Sequence, residues 1–154
     1  MLVFKFLHIA TMFGAVTLLM GSIVFLDVIA RRGDVAAYLR LDAIVQRTDL
    51  VGVVLFIAGI IFGLLAAIMG AFDLTAGWLL IAYVLVAALF FEGLVLTVPQ
   101  YNRIREAVRA VESEDPQATL QRMIRAPEHV ALVIFAALLW LAVIFVMVVK
   151  PSPF

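Results

Sequence analysis

Four apolar runs dominate the sequence, at about residues 2–26, 50–69, 77–98 and 129–149. A helix needs about 20 such residues to cross the hydrocarbon core of a bilayer. The first run is broken only by Lys5 and His8 among basic groups, the second holds no charge, and the third holds one, Glu92. In lipid every backbone N–H and C=O must be paired inside the protein, so only helices or a closed barrel can span. The expected fold is all-α: a polytopic membrane four-helix bundle, one domain over residues 1–154.

Composition agrees and excludes whole classes of function. Hydrophobic residues make up 66% of the chain and charged residues 14%, where a soluble domain carries about 25% charged residues. Too few polar groups exist to cover a water-soluble surface, which excludes a soluble enzyme or a disordered chain. Net charge is zero, so no basic field points to nucleic acid. The absence of Cys removes disulfides and thiolate chemistry. The first run is too long and too poorly charged at its start for a cleaved signal peptide, and Asp27, Arg31 and Arg32 end it as a span ends.

Nine of the eleven Lys and Arg residues fall in two connections. Arg31, Arg32, Arg40 and Arg47 occupy the first; Arg103, Arg105, Arg109, Arg122 and Arg125 occupy the third. The positive-inside rule makes that side cytoplasmic and puts both termini outside, in a multi-pass protein of the cell's inner (plasma) membrane. Thr48 and Asp49 are placed to cap the second span, Pro127 and Glu128 suit the first turn of the fourth, and Pro99 closes the third. Trp78 and Tyr101 suit the interfaces, and Pro151 and Pro153 follow the last span. Val35–Gln46, Asn102–Val111 and Gln117–Arg125 carry apolar residues at helical spacing among charges. They are expected as short amphipathic helices, with a turn at Ser113–Pro116.

Glycines predict how the bundle packs. Gly52, Gly59, Gly63 and Gly70 fall within about 40° of one another on the second span. Gly14 and Gly21 make a similar stripe with Ala10 on the first. Small faces let two backbones approach closely where lipid supplies no hydrophobic drive. Spans one and two are therefore expected to pack as an antiparallel hairpin.

Few side chains inside the spans can carry chemistry. His8 and Met12, at i and i+4, are placed to offer an imidazole and a thioether to haem or a metal near the outer face; an interfacial hydrogen bond is the plainer use of His8. Met69 and Met147 stand at the same end. His129 reads as an interfacial residue at the start of the fourth span. One haem held by both His8 and His129 is excluded, because their depths differ by about 25 Å at ~1.5 Å rise per residue. Glu92 lies about two turns inside the third span, where a carboxylate must be protonated, paired or hydrated. Ser22, at similar depth, is placed to bond it, with Arg31 or Arg32 reaching towards it. Asp27, Asp49 and Asp73 read as boundary residues. No phosphate loop, zinc-protease motif or nucleophile elbow is present, which speaks against a hydrolase, kinase or ATPase.

The opening Lys5-Phe6-Leu7-His8-Ile9, the Arg-rich connection, Asp49 before a span with Gly63, and Asp73-Leu74-Thr75-Ala76-Gly77-Trp78 before the third span together resemble a bacterial family of four-helix integral membrane proteins of unknown function. That family is distantly similar to the membrane-bound protoporphyrinogen oxidase and to the copper-resistance membrane domain. The resemblance implies a haem-binding role for an early His, a position His8 matches. The oxidase also relies on a Lys in its third helix, where this chain has only Glu92. Three functions are therefore carried forward. One is binding of haem b or another redox or metal ligand near His8. Another is a non-catalytic accessory or scaffold subunit, packing through its Gly faces into a homo-oligomer or a larger membrane complex. The last is a small proton- or metal-coupled transporter using Glu92.

Overall fold

A computed structural model describes residues 2–110 and 115–150. Among them every element is helical: α1 (Leu2–Arg32), α2 (Val35–Met69), α3 (Gly77–Phe91), a π-helical turn (Glu92–Thr97), α4 (Val98–Arg109), α5 (Pro116–Arg125) and α6 (Pro127–Val149). Four helices are long and apolar enough to cross a membrane: α1, α2, the continuous rod from α3 through α4, and α6. Large apolar side chains stand exposed along each of them, among them Phe13, Val54, Val84 and Leu138. Facing lipid, such residues need no cover, so the outward faces are as apolar as the interior.

The helices run further than the apolar runs do. Val35–Gln46, expected as a separate helix, is the first third of α2. Thr48 and Asp49 therefore cap nothing; Thr48 donates to the Val45 carbonyl at 3.0 Å inside the helix. The cap is Asp34, whose carboxylate accepts from Ala37 N at 2.8 Å. Only Gly33 and Asp34 separate α1 from α2. That reversal needs the left-handed conformation Gly33 adopts, φ +77°, which costs a glycine nothing.

Pro99 does not close the third span. It sits in the first turn of α4, and the rod continues to Arg109. A proline inside a helix lacks an N–H and collides with the carbonyl four residues back. Here the turn before it is widened, and Val98 N bonds to Gly93 O, five residues back. The widened turn carries the chain past the proline without ending the helix.

Two interior clusters result. Midway, Ala15, Phe56, Leu89, Trp140 and Val143 join α1, α2, α3 and α6. At the arginine-rich end, Leu26, Tyr38, Tyr101, Ile104, Leu120 and Ile124 form a second cluster, resembling a soluble core. There α5 lays its apolar side on the bundle. Asp115 caps it by accepting from Ala118 N at 3.0 Å. Gln121 donates to the Arg31 carbonyl at 3.3 Å, satisfying an open carbonyl at the end of α1. Ser113, Glu114, Pro151 and Pro153 lie outside the described residues.

At the other end, Lys150 Nζ lies 5.1 Å from the Phe72 ring centre and 5.4 Å from that of Trp78. Lys5 approaches Phe72 from the first helix at 5.6 Å. Lysine stems can pass along these rings while the ammonium groups reach water.

Candidate functional site

The α1–α2 seam takes in four of the six glycines expected to pack the helices, Gly14, Gly52, Gly59 and Gly63. A methyl group added at Gly52 would meet Leu19 at 2.9 Å, at Gly59 the Met12 Sδ at 3.0 Å, and at Gly63 the His8 Nδ1 at 2.8 Å. Gly14 faces Leu55 in the same seam. Gly21 is not part of it: nothing lies within 4 Å of a methyl group there. Gly70 is the C-cap of α2, its N–H bonded to the Ala66 carbonyl at 3.0 Å, and it touches Phe72 rather than α1.

His8 and Met12 are drawn into this seam. His8 Nδ1 donates to the Gly59 carbonyl at 2.7 Å, and the imidazole lies against Gly63. A carbonyl only accepts, so Nδ1 carries a proton and is the donor. The Met12 sulfur packs against Gly59. Among the described residues no three His, Asp or Glu side chains converge as a metal site.

Glu92 lies elsewhere. It is buried in the π-turn and accepts a hydrogen bond from the Thr97 hydroxyl. The i, i+5 repeat of that turn places the two side chains together. Ser22 does not reach Glu92; its hydroxyl donates to the Leu19 carbonyl at 2.9 Å and stands beside Asp49. Arg31 and Arg32 are exposed and form no ion pair among the described residues.

Glu92 opens onto a cavity of about 450 Å³ between the α1–α2 hairpin and the α3–α6 pair. Its walls are mainly apolar, with Phe56, Phe90 and Trp140 among them. Its polar lining includes Asp42, Asp49, Glu92 and Arg105. Arg105 is already committed: Nε and Nη2 reach the two Asp42 oxygens at 2.6 and 2.8 Å, and Nη1 donates to Asn102 at 2.8 Å. Asp49 and Glu92 thus have no cationic partner among the described residues, and Asp49 Oδ1 is buried without a hydrogen bond.

A second polar group adjoins the cavity. Asp27, buried near the end of α1, accepts from the Tyr101 hydroxyl at 2.8 Å and from His129 Nε2 at 3.1 Å. Tyr101 and His129 meet edge to face, 5.5 Å between ring centres. His129 is wholly buried and its Nδ1 has no partner; the Tyr38 hydroxyl is likewise unpaired. Neither a boundary role for Asp27 nor an interfacial role for His129 describes this network. Its one signal in the sequence is that Asp27, Tyr101 and His129 stand at the same-side ends of three spans.

Residues 2–151 match the family described as predicted integral membrane proteins, DUF2269. The chain belongs to this family. Together with the four spanning helices, that makes it an integral membrane protein whose surroundings are a lipid bilayer. No curated protein and no solved structure matches it.

Proposed function

We propose that the protein binds an organic cation with an apolar body inside the membrane, in the cavity that Asp49 and Glu92 line. One observation carries the reading: two carboxyl groups without a cationic partner among the described residues border a mainly apolar, aromatic-walled cavity of about 450 Å³. A carboxylate at membrane depth needs a proton, a counter-charge or water. A ligand cation supplies the counter-charge, and the aromatic wall of Trp140, Phe56 and Phe90 suits its apolar body. The volume falls in the usual range for small-molecule sites, about 300–1,000 Å³. Cation and proton compete for the same carboxyl groups, so binding weakens as pH falls. That exchange is the elementary step of a proton-coupled carrier.

The test uses Trp140 as reporter. Trp78→Phe leaves it as the sole tryptophan, and the purified protein is titrated with tetraphenylphosphonium in mild detergent. Saturable fluorescence quenching is expected, weakened at least tenfold in Glu92→Gln combined with Asp49→Asn, the scale of one lost charge-assisted contact of ~1.5 kcal/mol. No saturable change, or equal affinity in the double variant, refutes the proposal.

A second reading, a haem b or metal ligand at His8, is favoured by the bond from Nδ1 to the Gly59 carbonyl. Metal-binding histidines are commonly oriented in this way, with the other nitrogen free to ligate. Met12, used as packing in the seam, offers no matching support. A Soret band after haem reconstitution that is lost in His8→Ala would establish it; no band in the parent protein would end it.

A further inference from the structure

A different feature stands on the arginine-rich face. Ala43, Gln46, Arg47 and Leu50 share one side of α2, at i, i+3, i+4 and i+7. Arg105 and Arg109, one turn apart on α4, face them across an open groove of about 570 Å³. The arginines differ in what they have left to give. Arg105 is spent on Asp42 and Asn102. Arg47 and Arg109 are exposed and form no ion pair among the described residues. Asp42 is neutralised by Arg105, so the groove carries two uncommitted guanidinium groups.

We infer that this groove binds the phosphate of an anionic phospholipid, with Arg47 and Arg109 as its two clamps. Guanidinium presents paired N–H donors in the plane that a phosphate accepts, which a point-charge ammonium does not. The groove's fourth α2 residue selects the source of the phosphate. Leu50 begins the second apolar run and is 66% exposed. The groove thus joins two cationic side chains to an exposed leucine, one turn from Arg47 on α2. A molecule matching both has an oxyanion head and an acyl chain. Free phosphate matches only the first.

The test is native mass spectrometry of the whole protein in a neutral detergent, titrated separately with phosphatidylglycerol, phosphatidylcholine and inorganic phosphate. A saturable single adduct is expected with phosphatidylglycerol, and a much weaker one with phosphatidylcholine. Arg47→Gln with Arg109→Gln is expected to weaken phosphatidylglycerol binding about thirtyfold, about fivefold for each arginine at ~1 kcal/mol per charge. Arg40→Gln with Arg103→Gln removes the same charge from exposed positions outside the groove and is expected to leave the affinity close to that of the parent. Equal weakening by both double variants would reduce the effect to general surface charge and overturn the proposal. Equal binding of phosphatidylcholine would overturn it too, as would inorganic phosphate binding as tightly as the lipid.

Discussion

Replacing Arg105 by glutamine isolates what the Asp42 pair does for the fold. Asp42 has a side chain only 1% exposed. Its two oxygens hold Arg105 Nε and Nη2 at 2.6 and 2.8 Å, and one also accepts from Gln46 Nε2 at 2.9 Å. Arg105→Gln leaves a buried carboxylate with a single neutral donor. Breaking a buried pair from one side costs about 3–5 kcal/mol, because the remaining charge stays buried. The Arg105 side chain keeps 18% of its exposure, so water softens the loss and the lower end, about 3 kcal/mol, is expected. Removing both charges is different: Asp42→Leu with Arg105→Met also removes the desolvation cost. Such a swap is commonly neutral or stabilising by about 1–4 kcal/mol.

The measurement is the free energy of unfolding in a mild detergent titrated with dodecyl sulfate, followed by Trp140 fluorescence in the Trp78→Phe background. Trp140 packs edge to face on Phe56, 5.2 Å between ring centres, and reports loss of the central cluster. The expected pattern is a destabilised single variant and a double variant near the parent. If Arg105→Gln costs less than about 1 kcal/mol, the pair is a surface bridge in effect and the reasoning fails. It fails equally if Asp42→Leu with Arg105→Met is as unstable as Arg105→Gln.

The remaining predictions concern other elements. Gly63→Leu drives a side chain into the imidazole of His8, already 2.8 Å from an added methyl group. A cost of about 1–3 kcal/mol is expected, whereas Gly21→Leu is expected to be silent in the same unfolding assay. His129→Leu leaves Asp27 with Tyr101 as its one remaining donor among the described residues, and a loss of about 1–3 kcal/mol is expected; a parent-like melting curve would contradict the network. Asp73 accepts from the Thr75 N–H and hydroxyl at 2.8 and 2.6 Å, which holds its carboxyl below the ordinary range. The bonds therefore stabilise the α2–α3 turn above the ordinary carboxylate range, and that contribution is lost as pH falls through the lowered value. In Thr75→Ala the Asp73 titration, followed by carboxyl NMR, is expected to move up; an unmoved titration would dismiss those bonds as its cause.

The four spans were legible because the cost of placing polar backbone in lipid leaves few solutions, and run length then selects helices. Glu92 was legible for the same reason: one charge in an apolar run is conspicuous. The helix ends were not. Pro99 reads as a stop in a straight α-helix, and only the widened turn before it lets the rod continue. Asp49 reads as a cap because nothing local says that α2 began at Val35. The Asp27 network was hidden differently. Its members stand 74 and 102 positions apart along the chain, and each lies at a span end, where a polar residue needs no special reason. Seeing it required the depth of all three in one frame, which packing supplies and periodicity does not.

The placement of those ties bears on how the cavity is held. Phe56 meets Phe90 and Trp140 at 5.2 Å each, joining the hairpin to α3 and α6 at mid-depth. Towards the arginine-rich end, Asp42 joins α2 to Arg105 of α4, and Asp27 joins α1 to Tyr101 of α4 and His129 of α6. The cavity is bracketed between these rings and these ion and hydrogen bonds, and members of both sets line it. The α1–α2 seam beside it is close-packed over glycine and has little room to adjust. Widening the cavity for a bulky occupant therefore falls on the ties between the hairpin and the α3–α6 pair. Arg105 also borders the groove that Arg47 and Arg109 make. One ion pair, Asp42 to Arg105, thus stands between the cavity and the groove.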